Sequence, residues 1–268
     1  MTDSPHISRA SKEVSSNGSS VTNRTIATEV PLSLSYNGVA HVVMMVTPTD
    51  LESFILGFSI SEGIISNADD IEQLSFEKSD RGIIANIWIE KELHTKLLSR
   101  RRNLVGQSGC GLCGVEALED ALRSYEPVGE PPHFSFDQIK SSLCALEKLQ
   151  PLHQKTGAVH GAAYLDSKAT IIHVAEDVGR HNAFDKLIGN IYSSGSEIKN
   201  GAVILTSRCS FELAQKALAI KLPLLITISA PTDLAVQIAK DHNLSLITLA
   251  RHDSIQIMND PYSLFEIN

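Results

Sequence analysis

The chain has 268 residues, 43% of them hydrophobic, and a formal net charge of −8 at neutral pH. Such a composition suits a globular protein of one large or two modest domains, and the acidic balance argues against a general nucleic-acid binder while leaving room for a local basic pocket. No apolar run reaches the roughly 18 residues of a membrane span, and the start "MTDSPHISRASKEVSSNGSSVTNRT" has no signal-peptide core, so a cytoplasmic protein with no membrane attachment is expected.

Residues 1–27 are rich in Ser, Thr and Asn and poor in apolar side chains. They cannot offset their own ordering entropy and are predicted to be a disordered tail. From Pro31 the pattern changes. "LSLSY" alternates, Asn37-Gly38 is a hairpin turn signal, and "VAHVVMMV" follows as a second strand. In "TPTDLESFILGFSISEG" the residues Leu51, Phe54, Ile55 and Phe58 fall on one helical face, with Thr49 placed to cap the helix and Gly63 to stop it. Strand-like runs at Leu74–Phe76 and Ile83–Ile89 flank a turn at Asp80-Arg81-Gly82. Residues 28–125 are therefore expected to form a small α+β unit, ending in "SGCGLCG" and a helix marked by Val115, Leu118, Ala121 and Leu122.

"EPVGEPP" at 126–132 suits neither helix nor central strand and marks a linker, taken as 126–135, before a second unit at 136–268. Phe136, Ile139, Leu143 and Leu146 predict an amphipathic helix. Strands follow at Thr170–Ala175, Ala202–Thr206, Leu224–Ser229 and Leu244–Ala250, with helices near Asn182–Ile191, Phe211–Ile220 and Leu234–Asp241. This βαβα alternation predicts an α/β fold of parallel strands covered by helices. Ligands of such sheets bind at the carboxyl ends of the strands, so the loops of interest are "EDVGRHN", "SRCS", "APTD" and "RHDS". Arg180, Arg208 and Arg251 on three of them suit anionic oxygens, which points to a phosphate-bearing ligand. No Walker A or Gly-x-Gly-x-x-Gly fingerprint is present, which disfavours a standard ATP or NAD site.

The four cysteines are Cys110, Cys113, Cys144 and Cys209. A structural zinc site needs four N or S ligands, and Cys144 and Cys209 stand alone on a predicted helix and at a strand end, so no metal is expected. A zinc deaminase would need His-x-Glu, which the chain lacks. Glycines at 106, 109, 111 and 114 leave no side chains around which Cys110 and Cys113 could be packed, and a following helix N-terminus favours thiolate. Exposed, mobile and nucleophilic thiols are the expectation. In "AEDVGRHNAFDK", Glu176, Asp177, Arg180, His181, Asp185 and Lys186 crowd together, either as a solvated helix start capped by Asp177 or as an anion-binding turn with His181 exchanging a proton. His160 between small residues fits a structural or a functional role equally. Cys209 fits a buried position, and Ser207, Arg208 and Ser210 are the better ligand contacts by donor type.

The blocks "EVPLSLSYNG", "HVVMMVTPTDLESFILGFSISEGII", "SGCGLCG", "TGAVHGAA", "EDVGRHNAFDK" and "SRCSFELAQKA…SAPTDLAVQIA", in this order between about Glu29 and Arg251, closely resemble the formate dehydrogenase accessory sulfurtransferases, the FdhD family. The resemblance implies a cytidine-deaminase-like layered sheet domain that has lost its zinc chemistry, beside the smaller N-terminal α+β domain. It also implies a cytoplasmic homodimer that takes sulfur from a cysteine desulfurase as a persulfide on Cys110, with Cys113 as partner. The sulfur would go to the molybdenum bis(molybdopterin guanine dinucleotide) cofactor before that cofactor enters formate dehydrogenase. The family's cofactor segment matches Leu249, Ala250, Arg251, His252, Asp253 and Ser254, and Arg180, His181, Ser207 and Arg208 would add contacts. Family members usually carry an aromatic residue at the start of that segment and a glycine and an arginine near its end, whereas "LARHDS" keeps one basic residue, Arg251, beside His252. Two other classes fit the same residues: a non-catalytic chaperone that binds and delivers the cofactor, and a redox regulator using a Cys110/Cys113 disulfide.

Overall fold

The computed structural model describes residues 4–105 and 124–265, with the backbone alone for 101–105. Cys110, Cys113 and the helix predicted after them lie outside the described residues.

The alternating runs on either side of Asn37-Gly38 form β3 (Val30–Tyr36) and β4 (Val39–Val46), and both turn residues have positive φ, as a tight hairpin requires. β5 (Ile71–Ser79) and β6 (Gly82–Ile89) form the next hairpin, and β6 runs parallel to β3, giving a four-stranded sheet of order β4-β3-β6-β5. Between the hairpins lies α1 (Leu51–Ser61), whose residues from Phe54 to Ser61 are all buried. Its N-cap is Asp50 in the left-handed region, not Thr49, and Gly63 follows the helix end with φ of 62°. α2 (Lys91–Val105) carries little apolar content and shows no face pattern strong enough to predict it.

The tail predicted over 1–27 is corrected. β1 (His6–Ser15) and β2 (Gly18–Ala27) pair antiparallel along their whole length. Val14 and Val21 are exposed, so apolar burial does not hold this hairpin. A continuous backbone ladder and docking of β2 on the short helix α4 (Pro151–Thr156) hold it instead. Ser16 and Asn17 make the turn, and Gly18, paired with Ser15, opens β2 with φ of 125°.

Residues 124–135 have no regular structure, yet they are tied down: Val128 is buried, its N–H donates to His242 O, and its O accepts from Tyr262 Oη. α3 (Phe136–Lys148) begins on a reciprocal cap in which Ser135 Oγ accepts from Gln138 N and Gln138 Oε1 accepts from Ser135 N. The larger sheet contains β7 (His160–Leu165), β8 (Ile171–Asp177), β9 (Ala202–Leu205), β10 (Leu224–Thr227), β11 (Ser245–Thr248) and β12 (Gln256–Asn259), in the order β12-β11-β10-β9-β7-β8. β9, β10 and β11 are parallel, as the alternation predicts. β7 is inserted antiparallel between β9 and β8, and β12 is an antiparallel edge.

Alternation along the strands gives the sheet two buried faces. Val203, Leu205, Leu225 and Leu246 pack toward α5 (Arg180–Ser194), α6 (Phe211–Ala219) and α7 (Asp233–Asp241). Ala202, Ile204, Leu224, Ile226 and Ile247 pack toward Ile139, Leu143 and Leu146 of α3. The first of these cores continues through α5 into α1, Leu32, Leu34 and Ile87, so the two sheets share one apolar core. The molecule is therefore layered α/β, with α1 clasped between the small sheet and α5.

Candidate functional site

β8 runs in the same direction as β9, β10 and β11, so the loops after all four emerge on one edge of the sheet. Backbone bonds join the last three along the rim: Thr232 N donates to Cys209 O at 2.9 Å, Leu249 N to Ser229 O at 3.3 Å, and Ala250 N to Thr227 O at 3.1 Å. β7 starts on the same edge, with His160 paired to Asp177 across the ladder. Arg180, His181, Ser207, Arg208 and residues 249–254 thus share one rim. They fall into two groups, because β8 and β11 stand four strand spacings apart, about 19 Å.

The first group gathers at the start of α5. Gly179 caps that helix with no side-chain acceptor, and Arg180 Nε is buried with no hydrogen-bond partner among the described residues. His181 Nε2 lies 3.5 Å from Ser210 Oγ and 4.0 Å from Glu212 Oε2. Burial, then Arg180 and Lys216, push the His181 pKa down to about 4. At neutral pH it is an uncharged imidazole that can accept a hydrogen bond or a proton but adds no positive charge. His160 is lowered as well, by burial first and then by Arg180. An uncapped helix start beside an unpartnered guanidinium nitrogen can hold an anionic oxygen. Ser207 is buried and its Oγ donates to Arg208 O at 3.1 Å, while Arg208 is exposed. Cys209 is fully buried and burial raises its thiol to about 12, so it stays protonated.

The lowered His181 pKa has a stability consequence. The unfolded imidazole protonates near 6.5 and the folded one near 4, so the unfolded chain gains its proton first and stability falls as pH drops through that window. Melting temperature is expected to decline from pH 6.5 to pH 4 more steeply in the wild type than in His181→Gln. Equal slopes would show that His181 does not carry the effect.

The solvated helix start considered for "AEDVGRHNAFDK" is overturned by burial. Asp177 and Lys186 are both fully buried and pair at 2.7 Å. Asp177 Oδ1 accepts from Gly179 N and Asn182 Nδ2, and Oδ2 accepts from Thr47 N at 2.9 Å. Lys186 Nζ also donates to Thr47 O at 3.0 Å. Asp185 faces the opposite way: its Oδ1 accepts from Ser61 Oγ at 2.7 Å and Lys216 Nζ at 2.9 Å, and Lys216 also reaches Glu62 at 2.9 Å. Burial raises the Asp185 carboxyl, and Lys216 opposes that shift. These charges fasten the small sheet and α1 to the rim. Thr47, Ser61, Glu62, Asn182 and Lys216 were not singled out by the sequence, because their partners lie up to 155 residues away.

The second group is the 249–254 segment. Leu249 has φ of 48°, an uncommon conformation for a bulky residue, held by the two backbone bonds to the β10 loop. Arg251 N donates to Ser254 O, which closes a tight turn. A cleft of about 370 Å³ opens here between α3 and the segment, lined by Leu143, Glu147, Ile228, Ala250, Arg251, His252 and Asp253. Ala250 is buried and anchors the segment, while Arg251, His252, Asp253 and Ser254 are exposed.

The model of the FdhD/NarQ family matches residues 27–264. The chain belongs to that family. Its matched range takes in both sheets, the Cys-x-x-Cys stretch and the whole rim, and leaves out the β1–β2 hairpin. The "Sulfur carrier protein FdhD" of Cupriavidus necator is 44% identical over 239 residues, 89% of this chain and 83% of that one. The proteins of the same name from Xanthomonas euvesicatoria pv. vesicatoria and Variovorax paradoxus are 43% and 40% identical over 89% of this chain and 85% and 86% of theirs. Among solved structures, a candidate formate dehydrogenase accessory protein from Desulfotalea psychrophila shares the fold, with a TM-score of 0.76 at 24% identity over 96% of this chain and 98% of that one. No helix among the described residues is long and apolar enough to cross a membrane.

Proposed function

We propose that this chain is a sulfur carrier for formate dehydrogenase, working as a cytoplasmic homodimer. In this reading Cys110 accepts sulfur from a cysteine desulfurase as a persulfide, and the molybdenum of the bis(molybdopterin guanine dinucleotide) cofactor receives it. The observation that carries the reading is the match of residues 27–264, Cys110 and Cys113 included, to a family whose relatives are named sulfur carriers. The larger sheet, layered between helices, is compatible with the cytidine-deaminase-like relationship expected for it.

The donor set at the rim suits a guanine dinucleotide as substrate. Arg251 offers a two-pronged donor to a phosphate, and the Asp253 carboxylate offers two acceptors to the N–H groups on one edge of guanine. Glu147 and Asp253 both line the cleft, so its positive charge rests on Arg251 and backbone N–H groups have to supply the remaining phosphate contacts. Arg180 and the N-terminus of α5, farther along the rim, would hold a second anionic part of so long a ligand.

The test incubates the full-length protein with a cysteine desulfurase and cysteine and maps added sulfur by mass spectrometry. Sulfur on Cys110, lost in Cys110→Ala together with delivery of active formate dehydrogenase, is the expected result. A Cys110→Ala protein that delivers as well as the wild type would overturn the reading. Cys113→Ala separates a resolving role for the second thiol from a loop-shaping one.

A further inference from the structure

His252, exposed on the 249–254 segment, is engaged on both sides by residues of α3. Its Nδ1 lies 3.3 Å from Cys144 Sγ, and its Nε2 lies 3.0 Å from Glu147 Oε1. Cys144 and Glu147 are three residues apart on one helix, so they share a face, and the imidazole bridges them. The carboxylate can only accept, so Nε2 carries the ring proton and donates it to Glu147. Nδ1 then presents its lone pair to the thiol, which donates. A thiol bonded to an imidazole that is oriented by a carboxylate is the arrangement of an activated nucleophile.

The surroundings fit that use. Cys144 is partly exposed on an open face of α3 that also carries Asp137, Lys140 and Lys148. Lys140 and Lys148 offer two ammonium groups to an anionic sulfur donor, with the carboxylates of Asp137, Glu147 and, on the facing segment, Asp253 nearby. The thiol and carboxylate bond to opposite sides of the ring, so they cannot converge on one metal ion with it. No group of three or more such ligands able to hold a metal occurs among the described residues.

We propose that Cys144 is a second sulfur-accepting thiol, activated by His252 and Glu147, which takes sulfane sulfur from a persulfide or polysulfide approaching the exposed face of α3. The cargo rests on the sulfur-carrier reading; the activated thiol does not. In the transfer, Cys144 gives its proton to His252 Nδ1 and the thiolate attacks the outer sulfur of R–S–SH. The donor's S–S bond breaks, a Cys144 S–S bond forms, and the departing R–S⁻ takes the proton back from His252. One persulfide and one thiol enter and one of each leaves, with no net oxidation.

The experiment uses the full chain carrying Cys110→Ser and Cys113→Ser, so that Cys144 and the buried Cys209 are the remaining thiols, and inorganic polysulfide as the donor. Cys144 is expected to gain sulfur while Cys209 does not. It is also expected to react with iodoacetamide at pH 7 at least about tenfold faster than in the same protein with His252→Asn, since general-base assistance is lost there. Glu147→Gln should slow the reaction by a smaller factor. Both side chains are largely exposed, so neither variant endangers folding. Equal rates with and without His252, or no more sulfur on Cys144 than on Cys209, would overturn the proposal. Because the assay needs neither desulfurase nor Cys110, its failure leaves the carrier reading standing, and failure of the desulfurase assay on Cys110 leaves this one standing.

Discussion

Lys186→Met is expected to lower the unfolding free energy by about 3–5 kcal/mol, the usual cost of stripping a buried ion pair of one partner. Lys186 and Asp177 are both fully buried at 2.7 Å, so no water can take over from the ammonium. The carboxylate left behind would keep three N–H donors, from Thr47, Gly179 and Asn182, but no countercharge. Urea denaturation followed by circular dichroism measures the loss. The double variant Asp177→Asn, Lys186→Met removes both charges and should recover part of it. A double variant no more stable than Lys186→Met alone would show that shape, not charge, is what Lys186 contributes. Since Thr47 bonds to both partners, the connection between the small sheet and the start of α5 should loosen as well, with faster amide exchange at Thr47 and Val178.

The second large effect is expected where α1 crosses α5. A Cβ at Gly57 would stand 1.7 Å from Asp185 O, and one at Gly189 would stand 1.9 Å from Ser53 O. Both obstacles are backbone, and no rotamer change relieves them. In an open helix, alanine in place of glycine would stabilise by about 1 kcal/mol. Here the helices must part, and we expect Gly57→Ala and Gly189→Ala each to destabilise by about 2–3 kcal/mol despite that gain. Gly129→Ala, where a Cβ meets nothing within 4 Å, is the control and should leave the melting temperature unchanged. If Gly57→Ala matched the control, the close crossing would not be a requirement of the fold. The Lys216 bonds to Glu62 and Asp185 bridge the same pair of helices, so both glycine variants should also weaken that network.

Features specified by near neighbours were legible in the sequence. The Asn37-Gly38 hairpin, α3 with its Ser135 and Gln138 cap, and the alternation of β8 to β11 with α5 to α7 follow from turn chemistry and periodicity over a few residues. Strand direction alone is enough to put Arg180, His181, Arg208 and residues 249–254 on one rim. Composition misled at the β1–β2 hairpin, because counting apolar side chains ignores a backbone ladder that satisfies its own groups. α2 was missed for a related reason, having too little apolar content to show a face.

By itself, then, the sequence determined the Asn37-Gly38 hairpin, α1, α3 and the alternation of β8 to β11 with α5 to α7, and through its ordered motifs the family. Tertiary structure alone decided that β7 enters antiparallel between β9 and β8, that Asp177, Asp185 and Lys186 are buried ties instead of a solvated cluster, and that His252 stands between Cys144 and Glu147. The physical reason is separation along the chain. Turns, caps and periodicity act over a few residues, whereas Cys144 meets His252 across 108 positions and Thr47 meets Asp177 across 130, and contacts of that range exist only once the layers have packed.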